Sequence, residues 1–200
     1  EVLARWLSPS RGLILPGNFI PLFEKSELIV KLDRYMFEHA CRWYRSHLEQ
    51  GGRPVSLAVN VSKAGLFQND FVDYYTDIKA KYSIPDRVME LEFTESILAA
   101  DTELFAELVV NLNARGFICS LDDFGSGYSS LNLLKNLPID VLKLDILFFQ
   151  KSRDIRRERI VVSNVINMAK ELDIKTIAEG VEDMDTVEFL RKAGCNVIQG

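Results

Sequence analysis

Two hundred residues, 48% of them hydrophobic and 26% charged, suit one globular domain with enough chain to bury a core. A formal net charge of −5 argues against general nucleic-acid binding, which needs a basic face, and leaves room for a small anionic ligand if cations offset the carboxylates that receive it. No apolar run reaches the roughly 18–20 residues of a membrane helix and EVLARWLSPS is no signal peptide, so the expectation is a cytoplasmic domain without membrane insertion of its own, free or carried by a membrane-anchored protein.

The first long helical pattern covers 26–47 and carries Leu28, Leu32, Tyr35, Met36 and Trp43 on one side. His39 and His47 fall on it eight residues apart, not at the i,i+4 spacing of a metal pair, and read as structural or surface side chains. A strand follows at 57–61 and another at 89–93. The segment 101–115 repeats Leu104, Leu108 and Leu112 at helical spacing, with Gly116 as its C-terminal cap. Strands at 118–122 and 141–145 come next, then a helix at 156–172 built on Val161, Val165, Met168, Ala169 and Leu172. Strands at 174–178 and 196–199 complete the series. Several strands are near-continuous apolar runs, as parallel strands covered on both faces require. Alternating strands and helices imply a parallel sheet with helices outside it, either a closed barrel or a doubly wound open sheet. A barrel usually takes about 250 residues, so the chain reads as one domain over 1–200 whose first strand and C-terminal tail are incomplete. Cys41, Cys119 and Cys195 form no CxxC pair and read as reduced structural thiols.

Function in α/β folds collects at the carboxyl ends of strands. Here those ends carry Asn60, then Glu92 and Glu95, the pair Asp122–Asp123, Lys143 with Asp145, Glu179 with Glu182, and Gln199. Any one of the aspartates is most simply a helix N-cap. Six consecutive strand ends with polar side chains are harder to explain that way. Unpaired buried carboxylates are costly, and a ring of them calls for hard cations; without Cys or His in the group, Mg²⁺ or Mn²⁺ fits better than zinc. Adjacent residues of a strand point to opposite faces, so Asp122 and Asp123 can share a site only where the strand gives way to the glycine- and serine-rich loop FGSGYSS. Two cations about 3.5–4 Å apart would polarise a phosphodiester and activate water for in-line attack.

Eight strings in order, EVLARW, PGNFIPLFE, NVS, LEFTES, DDFGSGYSSL, LPIDVLKLD, AEGVE and GCNVIQG, resemble the EAL-domain family of cyclic di-GMP phosphodiesterases across the whole chain. The resemblance implies an α/β barrel of the TIM type with one antiparallel strand, in a bacterial signal-transduction enzyme that opens cyclic di-GMP to the linear dinucleotide pGpG with two Mg²⁺ or Mn²⁺ ions. It makes Glu1, Asn60, Glu92 and Asp122 ligands of one metal, with Asp122 shared and Asp123 on the second. Lys143 matches the lysine on the nucleophilic water, Glu179 the glutamate that helps hold water on the metal, and Asp145 a further site carboxylate. Leu3, Arg5 and Gln199 match substrate contacts, Arg5 as a phosphate partner. Glu95, Glu182 and the loop residues Phe124, Gly125, Ser126 and Gly127 match the segment that couples metal binding to dimerisation. Family members commonly form homodimers and carry sensory or diguanylate-cyclase-like modules upstream. Val2 replaces the usual alanine of the name-giving motif, the loop reads GSG for the commoner GTG, and Ile146–Leu147 stand where many members have arginine and serine. The alternative to an active enzyme is a catalytically inactive receptor for the same nucleotide, or a protein-interaction module.

Overall fold

Each apolar run expected to be a strand is one in the computed structural model, which describes residues 1–98, 102–125, 134–145 and 154–200. Ser126, Gly127, Ile146 and Leu147 lie outside the described residues. The chain divides into two units, Glu1–Phe93 with Asn111–Ile118, and Thr94–Val110 with Cys119–Gly200.

The first unit opens with a short antiparallel hairpin, β1 (Trp6–Ser8) against β2 (Gly12–Ile14), followed by α1 (Pro16–Glu24) and the long α2 (Leu28–Glu49). Strand β3 (Leu57–Val61) pairs in parallel with β4 (Met89–Thr94), Asn60 in register with Glu92, and α3 (Lys63–Leu66) and α4 (Phe71–Lys81) connect them. On the other side of β3, Val2 lies parallel to Val59 and its N–H donates to the Ala58 carbonyl at 2.8 Å. Aromatic rings fill the core: Phe37 and Phe71 each lie 4.5 Å from Tyr75, and Phe37 lies 6.1 Å from Phe117. Each such pair contributes about 0.5–1.5 kcal/mol beyond its buried area.

The helix faces differ from the sequence expectation. On α2 the buried stripe is Ile29, Asp33, Phe37, Ala40, Cys41 and Tyr44, whereas Leu28, Tyr35 and Trp43 are exposed. A count of apolar residues rejects the stripe that contains an aspartate; in the fold that aspartate is hydrogen-bonded and its stripe goes inward. On α6 (Thr102–Ala114) Phe105, Val109 and Leu112 are buried while Leu104 is 51% exposed, a rotation of one residue. Apolar side chains flank both candidate stripes, and packing against neighbours selects between them.

In the second unit α5 (Glu95–Leu98) precedes α6, and four strands lie parallel in the order β5 (Ile118–Phe124), β6 (Val141–Leu144), β7 (Lys175–Ala178) and β8 (Val197–Ile198). Helix α7 (Ile155–Glu171) buries Val162, Val165, Ile166 and Ala169, so Val161 and Leu172 of the expected face are exposed by the same one-residue rotation. Asp154 caps α7 by accepting from the N–H groups of Arg156 and Arg157 at 3.1 and 3.2 Å. Asp183 caps α8 (Met184–Ala193) by accepting from Thr186 N at 2.8 Å, and Gly194, at φ 89°, ends it in the left-handed conformation. The caps of α7 and α8 thus come from aspartates in the loops. Among the described residues no helix is long and apolar enough to cross a membrane.

Candidate functional site

In the first unit three of the expected ligands come together on β3, β4 and the segment beside them. Parallel pairing places Asn60 and Glu92 side by side on one face, opposite to Leu57, Val59 and Val61, which are buried. Asn60 Nδ2 donates to Glu1 Oε1 at 2.8 Å, which leaves the amide carbonyl oxygen for a cation. Glu92 is 1% exposed, whereas Glu1 and Asn60 are open to solvent. Glu90, two residues earlier on the same face of β4, is a further buried carboxylate that sequence reasoning missed. Its i,i+2 spacing from Glu92 was the available signal. Leu3 and Arg5 are exposed, and they line a cavity of about 510 Å³ with Tyr35, Met36, His39 and Trp43 of α2. Arg5 Nη1 donates to the Ala4 carbonyl at 2.9 Å.

Asp33, also unforeseen, stands behind this set. Its Oδ2 accepts from Ser62 N at 3.0 Å and from Ser62 Oγ at 2.6 Å. Ser62 Oγ in turn accepts from Gly65 N at 3.0 Å as the cap of α3. Burial, with a small contribution from nearby Glu24, pushes the Asp33 carboxyl up to about 6 against the hydrogen bonds from Ser62 that lower it.

The second unit concentrates charge. Along β5 and β6, Leu121 pairs with Leu142 and Phe124 with Leu144, so Asp122 and Asp123 together face the single residue Lys143. This is a β-bulge, and Asp123 sits in it at φ 57°, the left-handed region. The two aspartates were expected to share a site because the strand ends. Instead β5 runs on to Phe124 and the bulge re-aims them. Asp123 N donates to Asp122 Oδ1 at 2.9 Å. Lys143, 2% exposed, places Nζ 2.8 Å from Glu179 Oε1 and 3.5 Å from Asp122 Oδ1. Burial, then the negative charges of Asp122, Asp145 and Glu179, and last a hydrogen bond with Asp145 together raise the Asp123 carboxyl to about 6.

Backbone bonds fix the strand ends around this cluster. Asp145 N donates to the Phe124 carbonyl at 3.4 Å, Glu179 N to Leu144 at 3.0 Å and Gln199 N to Ala178 at 2.8 Å. Glu95 Oε2 accepts from Gly125 N at 3.4 Å, which ties the start of α5 to the first residue after the bulged strand. Glu182 is exposed.

Among the described residues no three acidic, histidine or cysteine side chains already form a cage for one ion. The donors nevertheless suit hard divalent cations: an amide and carboxylates in the first unit, and in the second the carboxylates of Asp122, Asp123, Asp145 and Glu179 gathered beside the Lys143 ammonium. A protonation held up by surrounding negative charge is what a bound cation would relieve.

A family model described as the EAL domain matches residues 1–200. The bifunctional diguanylate cyclase/cyclic di-GMP phosphodiesterase MucR of Pseudomonas aeruginosa is 38% identical over 200 residues, which is 100% of this chain and 29% of that protein. The cyclic di-GMP phosphodiesterase NbdA of the same organism is 36% identical over all of this chain and 26% of its own length. The chain thus spans under a third of either relative. A solved structure of the MucR phosphodiesterase in complex with c-di-GMP superposes with a TM-score of 0.89 at 37% identity, covering 98% of this chain and 79% of that one. The expected α/β class of the TIM type is that of these structural neighbours.

Proposed function

The chain belongs to the EAL domain family, and from that membership we propose that it hydrolyses cyclic di-GMP to linear pGpG in bacterial second-messenger signalling. The observation that carries this reading is Lys143, buried between Asp122 and Glu179 and faced by a bulge that turns two adjacent aspartates to one side.

Two divalent cations, Mg²⁺ or Mn²⁺, would polarise the scissile phosphodiester and make water acidic enough to attack it near neutral pH. Glu1, Asn60 and Glu92 would supply cation ligands in the first unit, and Asp122 and Asp123, with Asp145 alongside, in the second. Lys143 Nζ orients the attacking water, and Glu179 Oε1, 2.8 Å from that ammonium, accepts from the water and holds it in line. The Lys143 ammonium, paired with Asp122 and Glu179, faces the phosphorane-like transition state. Leu3, Arg5 and Gln199 bind the nucleotide, Arg5 through a phosphate. One cluster can stabilise charge on only one of the two phosphates, which limits the product to the linear form.

Glu95, Glu182 and residues 124–127 couple the site to a homodimer contact, and the domain works in the cytoplasm behind upstream sensory or diguanylate-cyclase-like modules. The test is chromatography of cyclic di-GMP incubated with the protein and Mg²⁺ or Mn²⁺, beside an Asp122→Ala variant. Linear product that disappears in the variant and on chelation is expected. Tight nucleotide binding by folded protein with no product would overturn the enzyme reading in favour of a receptor.

A further inference from the structure

Asp33 lies on the buried stripe of α2, between Ile29 and Phe37, and is itself 7% exposed. An apolar side chain at that position would continue the stripe at no electrostatic cost, so a buried carboxylate there needs an explanation. Ser62 alone is enough to cap α3, since its Oγ already accepts from Gly65 N. What Asp33 adds is a hold on Ser62 itself, by both its N–H and its hydroxyl. Gly65 makes room for this: a Cβ there would stand 2.6 Å from Asp33 Oδ2, closer than any real Cβ contact. Side chain, cap and missing side chain therefore form one fitted arrangement.

Its leverage falls on Asn60. The bond to Ser62 N fixes the plane of the peptide that follows Val61, and Val61 is buried at 4% exposure, so the carboxyl end of β3 is anchored from both sides. Asn60, exposed and two residues before Ser62, has little packing of its own to orient it beyond its bond to Glu1. We propose that Asp33 is a positioning residue: through Ser62 and across Gly65 it clamps the end of β3 so that Asn60 and Glu1 stand preformed for a divalent cation. This deepens the phosphodiesterase reading and rests on it for the identity of the cation.

The experiment measures Mn²⁺ binding by titration calorimetry to the protein and to Asp33→Ala, Asp33→Asn, Ser62→Ala and Asp86→Ala variants. All are kept at a temperature where circular dichroism shows them folded. Outer partners of metal ligands typically change affinity by about 10–100-fold, and Asp33→Ala and Ser62→Ala are expected to weaken binding about tenfold or more. Asp33→Asn retains an acceptor for Ser62 and stays within about threefold of wild type. Asp86→Ala removes the partner of buried Lys79 elsewhere in the first unit, so it lowers the melting temperature without moving the affinity. Should Asp33→Ala be unfolded, Ser62→Ala and Asp33→Asn still decide the matter. A second readout needs no metal: the Asn60 side-chain amide, followed by ¹⁵N relaxation, is rigid in wild type and mobile in Asp33→Ala and Ser62→Ala. Failure of the wild type to bind Mn²⁺ would sink the phosphodiesterase reading, while the relaxation data would still judge the clamp. Unchanged affinity and unchanged Asn60 mobility in folded Ser62→Ala and Asp33→Ala would overturn the clamp, as would Asp86→Ala losing affinity to the same degree.

Discussion

The two units solve the same problem, holding polar side chains in place at strand ends, by different means. In the first, an amide on β3, a carboxylate on β4 and a second carboxylate, Glu1, in the segment beside β3 stand together, and the orienting group is Asp33, acting through neutral donors. In the second, a bulge brings two aspartates to one lysine, and the orienting force is charge, with Lys143 drawing in Asp122 and Glu179. The lesson is that the first set is held by hydrogen-bond geometry and should tolerate loss of a charge, provided an acceptor remains. The second depends on charge balance and should not.

The strongest challenge to this contrast is Lys143→Met, which keeps the volume and removes the cation. Leaving Asp122 and Glu179 without their buried partner should destabilise the metal-free protein by about 3–5 kcal/mol, read by urea unfolding. Cleavage of cyclic di-GMP should fall by about 10²–10⁴. Near-normal stability would show that the second unit is not held by charge.

The next effect is a pH slope from the first unit. Asp33 titrates at about 6 when folded, against an ordinary value of 3.8. Its protonated form is thus favoured by folding. The protein should lose up to about 3 kcal/mol from this group as pH rises from about 4 through 6, and no more above that. Asp33→Asn cannot ionise and should flatten that part of the stability profile. An unchanged slope in the variant would remove Asp33 as its source.

A smaller effect sharpens the second unit. Asp123 also titrates at about 6, held there by burial and by Asp122, Asp145 and Glu179. Below that value a proton must leave before Asp123 can bind a cation. Mn²⁺ affinity should therefore fall by up to about tenfold per pH unit on acidification below 6, and level off above it. Asp123→Asn should lose this dependence along with much of the affinity.

Much of the fold and site was legible because the signals are local. A strand such as 57–61 announces itself by a short apolar run, and Asn60, Glu92, Asp122, Lys143 and Glu179 stand out as polar residues at the ends of such runs. Local periodicity misassigns the inward face of α2, however, because Asp33 has the character of a surface residue until Ser62 is placed against it. Glu90 is hidden for the opposite reason: it sits within a strand rather than at its end, and although its spacing puts it on the face of Glu92, only pairing with Ala58 puts it on the face of Asn60. The position of Asp123 could not have been read locally either, since a bulge is defined by the partner strand it mismatches.

The sequence by itself determined the family, the order of the six parallel strands and the three longest helices, and the chemical kinds of side chain at the strand ends, since all of these depend on residue identity and short-range spacing. The tertiary structure decided which stripe of each helix turns inward, how Asp122 and Asp123 come to share Lys143, and that Asp33 holds Ser62 at the end of β3. Those outcomes hang on contacts between residues tens of positions apart, such as Asp33 with Ser62, and packing chooses among faces that local periodicity leaves nearly equal.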